Sequence, residues 1–385
     1  MTEMIITNGC IVTPDGVLDN GWIQCEQGKI QAIGQGNAPD GNHYDAQGSL
    51  VFAGFVDIHV HGANSYDTMD ASIDSLLAMS AFFAKQGVTS FLPTTLTASN
   101  EQTTQALLAI KEAMPLSHDG ARIIGAHLEG PYLHPDKSGA QNKEFIRPID
   151  REEFQAWLDL DVIRLVSVAP EQEDIAWLIE TCQQYSVTVS AAHTTAAYET
   201  AQQAIDVGLS HATHTYNAMP QLHHRTPGAL AALFLSSDVN CELIADNVHV
   251  HPAMMALLLQ IVGIERLILI TDAMRATGMA DGEYDLGDYA VTVKDKIARL
   301  DDGTLAGSTL TMNRALLNFS EAVKQPITDL WCASSYNASQ AIGLGDKIGS
   351  IQVGYDADFA ILGAESPHHV LATISQGKLI YESEH

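Results

Sequence analysis

From about residue 54 onward, short apolar runs alternate with longer stretches in which apolar residues return every three to four positions. The runs are GFVDIHV, GVTSFLPTT, RIIGAHLEG, VIRLVSVAPE, VTVSAAHT, LSHATHTYNA, NCELIADNVHV and RLILITDAM. Between them, segments such as SIDSLLAMSAFFAKQG and DIAWLIETCQQYS have the period of an amphipathic helix and end near a Gly or a polar turn. Strands and helices alternating in this order build parallel sheets. Eight such runs predict an α/β chain whose main body is a closed (β/α)8 TIM-type barrel. After the eighth run, GEYDLGDYAVTVKDKIARLDDGTLAGS has the texture of hairpin strands, and LTMNRALLNFSEAV returns to helix.

Both ends of the chain read differently. MIITNGCIVTP, GWIQCEQGKIQAIG and GSLVFAG near the start, and GSIQVGYDADFAILG and HHVLATISQGKLIYE near the end, are short alternating runs between turns, with no helix-period segment among them. Each end has too few strands for a core of its own. The expectation is therefore a small β-sandwich domain built from residues 1–53 and 346–385, with the barrel occupying 54–345.

Composition narrows the function classes. Of the 385 residues 46% are apolar and 17% charged, a balance that can fill a large core. Lys and Arg total 19 against 47 Asp and Glu, a formal net charge of −28 that repels polyanions and argues against nucleic acid or an anionic membrane as partner. A small anionic substrate would need its own local basic pocket. Cys10, Cys25, Cys182, Cys241 and Cys332 are scattered, with no C-x-x-C pair, and read as reduced thiols of a cytoplasmic protein. No leader-like start and no run of membrane-spanning length is visible.

In a barrel of this kind the chemistry sits at the carboxyl ends of the strands. There the chain places His59 and His61 in run one, Glu129 at the end of run three, His193 ending run five, His214 in run six, His249 ending run seven and Asp272 in run eight. Side chains two apart on a strand point the same way, so His59 and His61 face the mouth together. Taken singly, a strand-end His is commonly a hydrogen-bonded structural residue, Glu129 could close a turn, and Asp272 could cap a helix. Six such residues at one rim make coincidence a poor account. His59, His61, Glu129, His193, His214 and Asp272 read as a nitrogen- and oxygen-donor set for zinc, iron or a similar divalent ion. His251, next to Pro252, reads as a loop residue, and His43, His118, His134, His368 and His369 read as surface. QLHHRTPG puts His223, His224 and Arg225 just after run six. In so acidic a chain this loop is a candidate anion clamp, since a guanidinium holds a phosphate by two hydrogen bonds.

These residues resemble the amidohydrolase superfamily, and within it the N-acetylglucosamine-6-phosphate deacetylases, over nearly the whole chain. The resemblance is carried by AGFVDIHVHG at 53–62, GAHLEGPYL, SAAHTTA, ATHTYNAMPQLHHRTPG, LITDAM, LAGSTLTM and GSIQVGYDADFAIL. HLEGP together with THTYNAMPQLHHR is its specific part. It implies that Glu129, His193 and His214 bind a principal metal, and that His59 and His61 hold a second with Glu129 bridging. It further implies that Asn217, Ala218, Arg225 and His249 bind the sugar phosphate, that Leu305 and Met312 lie near the acetyl group, and that the protein is a homodimer. One or two divalent ions per subunit are expected, zinc first, with iron, manganese or cobalt as alternatives. The chain departs from the family in GAQN, where Gln141 stands in place of a common His. An amide can donate and accept hydrogen bonds but carries no charge, so the galactosamine epimer becomes an alternative substrate and Gln141 a candidate reader of it.

The expected chemistry is metal-assisted hydrolysis of an acetamide, with Asp272 as the general base and then the general acid. Cyclic amidases of the same superfamily bridge their metals with a carboxylated lysine on strand four, and run four here, VIRLVSVAPE, has no Lys. A non-catalytic scaffold would be expected to have lost ligands, and none is missing.

Overall fold

The computed structural model describes residues 3–384. Phe55–Val60 is the first parallel strand, and all six of its side chains are buried, as a strand covered on both faces requires. Val88–Pro93 pairs with it in parallel and takes Arg122–Ile123 on its other side. A second parallel sheet runs from Ala126–Glu129 through Ile163–Val168, Thr188–Ala191, His211–Ala212 and Asn240–Ile244 to Leu267–Ile270. The two sheets meet at both edges: Thr94 bridges His127, and Val60 bridges Ala273, each in parallel.

The third run, expected as one strand, is broken at Ile124–Gly125. Gly125 has φ +143, and a Cβ there would collide with the Arg164 side chain and lie 2.9 Å from the Val162 carbonyl oxygen, so only Gly makes the turn. On one side of it the Ile124 N–H bonds to Phe91 O, and on the other the Ala126 N–H bonds to Val162 O. The chain thus hands its pairing from one sheet to the next.

Helices fill the crossovers. Ser99 caps Asn100–Ala113 and Gln102 reaches back to complete the capping box, while Asp150 accepts the first N–H groups of Arg151–Leu158. The strands' inner faces carry a polar layer in addition to aliphatic residues. His127 Nε2 lies 2.7 Å from Ser167 Oγ, and Thr213 Oγ1 lies 2.5 Å from both Ser167 Oγ and Ser190 Oγ. After the last parallel strand, Gly282–Leu286, Tyr289–Lys294 and Ile297–Arg299 form an antiparallel three-stranded sheet, which brings Leu286 to the cavity described below. Among the described residues no helix is long and apolar enough to cross a membrane.

Strands from the two chain ends join in one mixed sheet. Phe359–Leu362 pairs antiparallel with Leu50–Ala53, and Met4–Thr13, Gly16–Glu26 and Lys29–Gln35 continue it. Ile6, Ile11, Ile23, Val51, Phe359 and Ile374 form its own apolar cluster. Arg122 ties this sheet to the parallel strands: its guanidinium bonds Asp356 at 2.8 Å and also Asp358, whose side chain is 2% exposed. Removing one partner of a buried pair leaves the other charge stranded. Arg122→Met is therefore expected to lower the unfolding free energy by about 3–5 kcal/mol, read from urea denaturation. A change within about 0.5 kcal/mol would mean that the contact is not holding the two parts together.

Candidate metal centre

His59 lies within the first parallel strand, His61 just beyond it, and Glu129 ends its own strand. His193, His214 and Asp272 sit a little further out than expected, on the turns that follow Thr188–Ala191, His211–Ala212 and Leu267–Ile270. All three have left-handed backbone, with φ of +42, +31 and +49. That conformation costs of order 1–3 kcal/mol for a non-glycine residue and persists where the surrounding structure holds it.

The turns converge the side chains on Glu129. Its Oε1 is 3.3 Å from His193 Nε2 and 3.2 Å from His214 Nε2, and those two nitrogens are 3.1 Å apart. Its Oε2 is 3.3 Å from His61 Nε2. Asp272 Oδ1 faces the same group, 3.2 Å from His61 Nε2 and 3.5 Å from His59 Nε2. Glu129 Oε1 also lies 3.6 Å from His59 Nε2, so one carboxylate serves all four imidazoles. Glu129, His193 and His214 form one set of converging donor atoms, and His59, His61 and Glu129 another.

These residues fit a divalent metal. His193 Nδ1 is 2.7 Å from the Lys137 carbonyl oxygen, so that nitrogen carries the proton and Nε2 presents a lone pair toward that of His214. His59 Nε2 is buried and has no hydrogen-bond partner among the described residues. Spacings of 3.1 to 3.3 Å are those of atoms sharing one ion at about 2.0–2.2 Å each. The charges agree. Burial opposes a proton on His59, but Asp272, Glu129 and Glu242 outweigh it and push the ring up to about 9. Burial likewise opposes ionisation of Asp272, and His59 and His61 outweigh that, holding its carboxyl below the usual range. The centre is short of positive charge, which a divalent cation supplies.

A cavity of about 320 Å³ opens over this cluster. Gln141, Asn217, Ala218, His249 and Leu305 line it with His61, Glu129, His193, His214 and Asp272. His249 Nδ1 is 2.6 Å from Asp246 Oδ2, so its Nε2 is free for a ligand. Gln141 is largely committed: its carbonyl accepts the Thr97 N–H at 2.7 Å, and its amide donates to Glu129 Oε2 at 2.6 Å. Arg225 and Met312 are not brought in. Arg225 is on an exposed loop with Nη1 2.8 Å from His224 Nε2, and Met312 begins a helix with its side chain in the main core.

Four residues near the centre escaped sequence reasoning. Lys137 lines the cavity, and His127, His211 and Glu242 are buried beneath it. The signal for Glu242 was present: it is the one charge in the apolar strand NCELI.

The amidohydrolase family matches residues 50–380. The chain is 38% identical to N-acetylglucosamine-6-phosphate deacetylase of Bacillus subtilis (strain 168), across 99% of this chain and 98% of that one. It is 34% identical to N-acetylgalactosamine-6-phosphate deacetylase of Escherichia coli O157:H7, across 96% and 97%. N-acetyl-D-glucosamine-6-phosphate deacetylase of Mycobacterium smegmatis, solved as an Asp-to-Ala mutant with N-acetyl-D-glucosamine-6-phosphate, superposes with a TM-score of 0.91 at 32% identity, covering 99% of this chain and 100% of that one.

Proposed function

The chain belongs to the amidohydrolase family, and on that premise we propose that it hydrolyses the acetamide of N-acetylglucosamine 6-phosphate to acetate and glucosamine 6-phosphate. The observation that carries the reading is Glu129, one buried carboxylate on which four imidazoles converge at the floor of a sugar-sized cavity, His193, His214 and His59 toward Oε1 and His61 toward Oε2. Glu129, His193 and His214 would hold a principal ion, and His59, His61 and Glu129 another. Zinc is the first assignment, with iron, manganese and cobalt suited to the same donors. When bound, such an ion polarises a carbonyl and lowers the pKa of water.

The chain's own residues do the rest. Asp272, ionised and at the cavity wall, takes the proton of the attacking water and passes it to the amine nitrogen as the C–N bond breaks. His249, its Nδ1 committed to Asp246, offers Nε2 as an acceptor for a sugar hydroxyl. Asn217 and Ala218 lie on the cavity rim, where we place the phosphate, and Arg225 extends that anion site from the neighbouring loop. Leu305, which lines the cavity, is assigned to its acetyl end. Loss of a charge-assisted hydrogen bond costs about 1.5–3 kcal/mol, so Arg225→Ala is expected to raise KM roughly 10- to 100-fold with a smaller change in kcat. An unchanged KM in steady-state kinetics would move the phosphate to Lys137.

We read the parallel strands and their helices as a (β/α)8 barrel over residues 54–345, and the terminal strands as a small β-sandwich domain of residues 1–53 and 346–385. The support is the pair of parallel bridges that join the two sheets and the separate apolar cluster of the end strands. A cytoplasmic homodimer completes the reading, in line with five free cysteines.

The test is acetate release from N-acetylglucosamine 6-phosphate, its galactosamine epimer and unphosphorylated N-acetylglucosamine. Preference for the first that disappears without phosphate supports the reading, and no release from any overturns it. Preference for the epimer selects the second reading, the activity of the relative matched at 34% identity, and leaves Gln141 as the residue to exchange.

A further inference from the structure

Glu242 is fully buried below the cavity, and three donors converge on its carboxylate. Oε2 is 3.0 Å from His59 Nδ1 and 2.9 Å from the His214 backbone nitrogen, while Oε1 is 3.0 Å from His211 Nε2. The His214 N–H can only donate. At the His59 contact a carboxylate can only accept, so Nδ1 carries a proton there and Nε2 is left facing Glu129 and Asp272. The His214 N–H is also the one at the left-handed turn that carries the ring toward His193. A single side chain on the strand Asn240–Ile244 therefore engages one residue from each of the two imidazole groups.

His59, His127 and Glu242 also lie close enough together to resemble a metal trio of their own. The bonds argue against that. His127 Nδ1 is committed to the Ile58 carbonyl oxygen at 3.1 Å and Nε2 to Ser167 Oγ at 2.7 Å, so the ring has no lone pair left for an ion. Glu242 acts on the centre through other residues.

We infer that Glu242 is the positioning residue of the metal centre: it fixes the tautomer and aim of His59, braces the His214 turn, and adds a buried negative charge beneath both ion positions. The inference rests on the metal-centre reading above. Carboxylates that hold a ligating imidazole in this way are worth about 10- to 100-fold in metal affinity. Glu242→Gln separates geometry from charge. Its carbonyl oxygen can keep the His59 and His214 contacts, while its amide faces His211. That ring can move its proton to Nδ1, which has no hydrogen-bond partner among the described residues, and accept at Nε2. Glu242→Leu removes both geometry and charge.

The experiment is a zinc titration of the chelator-stripped full chain against a competing chelating dye, for the wild type and both variants. It is read beside thermal unfolding of the metal-free proteins and the ¹⁵N spectrum of histidine-labelled, zinc-loaded wild type. The expected result is zinc binding about 10- to 100-fold weaker in Glu242→Gln at a near wild-type unfolding temperature, weaker still in Glu242→Leu, and a proton on His59 Nδ1. Zinc affinity in Glu242→Gln within twofold of the wild type, or a proton on His59 Nε2, overturns the inference. If neither variant folds, the His59 tautomer in the wild type decides it. Acetate release plays no part in these measurements, so a chain that binds zinc as expected but releases no acetate fails the functional reading and leaves the role of Glu242 standing.

Discussion

Asp272→Asn is expected to lower kcat about 10²- to 10⁴-fold, the usual worth of a positioned acid–base group, with KM and bound metal close to wild type. The substitution suits the site because Asp272 has φ +49, a left-handed conformation that Asn tolerates better than most residues. The amide keeps the shape of the carboxyl but cannot take up a proton. Steady-state kinetics on the phosphorylated sugar, with metal content measured on the same preparation, distinguish this outcome from loss of the centre. Retained turnover would remove Asp272 from the proton transfers.

Glu129→Gln is expected to fail differently, losing metal as well as rate. Glu129 serves both imidazole groups, and it is held well below the usual carboxyl range because, against the cost of burial, His59, His193, His214 and His61 all favour its charged form. An amide has one oxygen to offer and no charge. Loss of the bound ion forfeits several kcal/mol of transition-state stabilisation, so turnover should drop by roughly a thousandfold or more. Atomic emission on the dialysed protein should find substoichiometric metal. Full metal content with normal turnover would show that His59, His61, His193 and His214 suffice without it.

The strand order and the gathering of these side chains were legible because both depend on local patterns. Period-two spacing put His59 and His61 on one face, and Glu129 falls at the end of an apolar run, where chemistry gathers in parallel sheets. The exact place of His193, His214 and Asp272 was not legible. Asp and His are enriched at positive φ, but that preference is too weak to mark a particular residue, and packing decides which ones turn. Gly125 hid the break in run three, because a lone glycine in an apolar run reads as continuous strand until Arg164 and Val162 are seen to crowd it. The loop of Arg225 was assigned to the site from its charge, its position after run six and the resemblance, and its distance from the metal-centre side chains depends on loop conformation, which none of these encodes. Glu242 and His211 were passed over because their partners are distant in sequence or lie on the inner faces of the strands. His59 is 183 positions from Glu242, and only the meeting of the two parallel sheets brings them together.

The pairing of Leu50–Ala53 with Phe359–Leu362 also bears on how the protein is made. During synthesis the strands near the start emerge first, and their partner strand leaves the ribosome only when nearly the whole chain has followed. Until then Leu50–Ala53 offers an open strand edge, a template for pairing with other chains. Contacts of such wide sequence separation form slowly, and slow closure prolongs that exposure. A C-terminal truncation before residue 359 should leave that edge permanently open and the chain prone to aggregation, even though every residue of the metal centre is present.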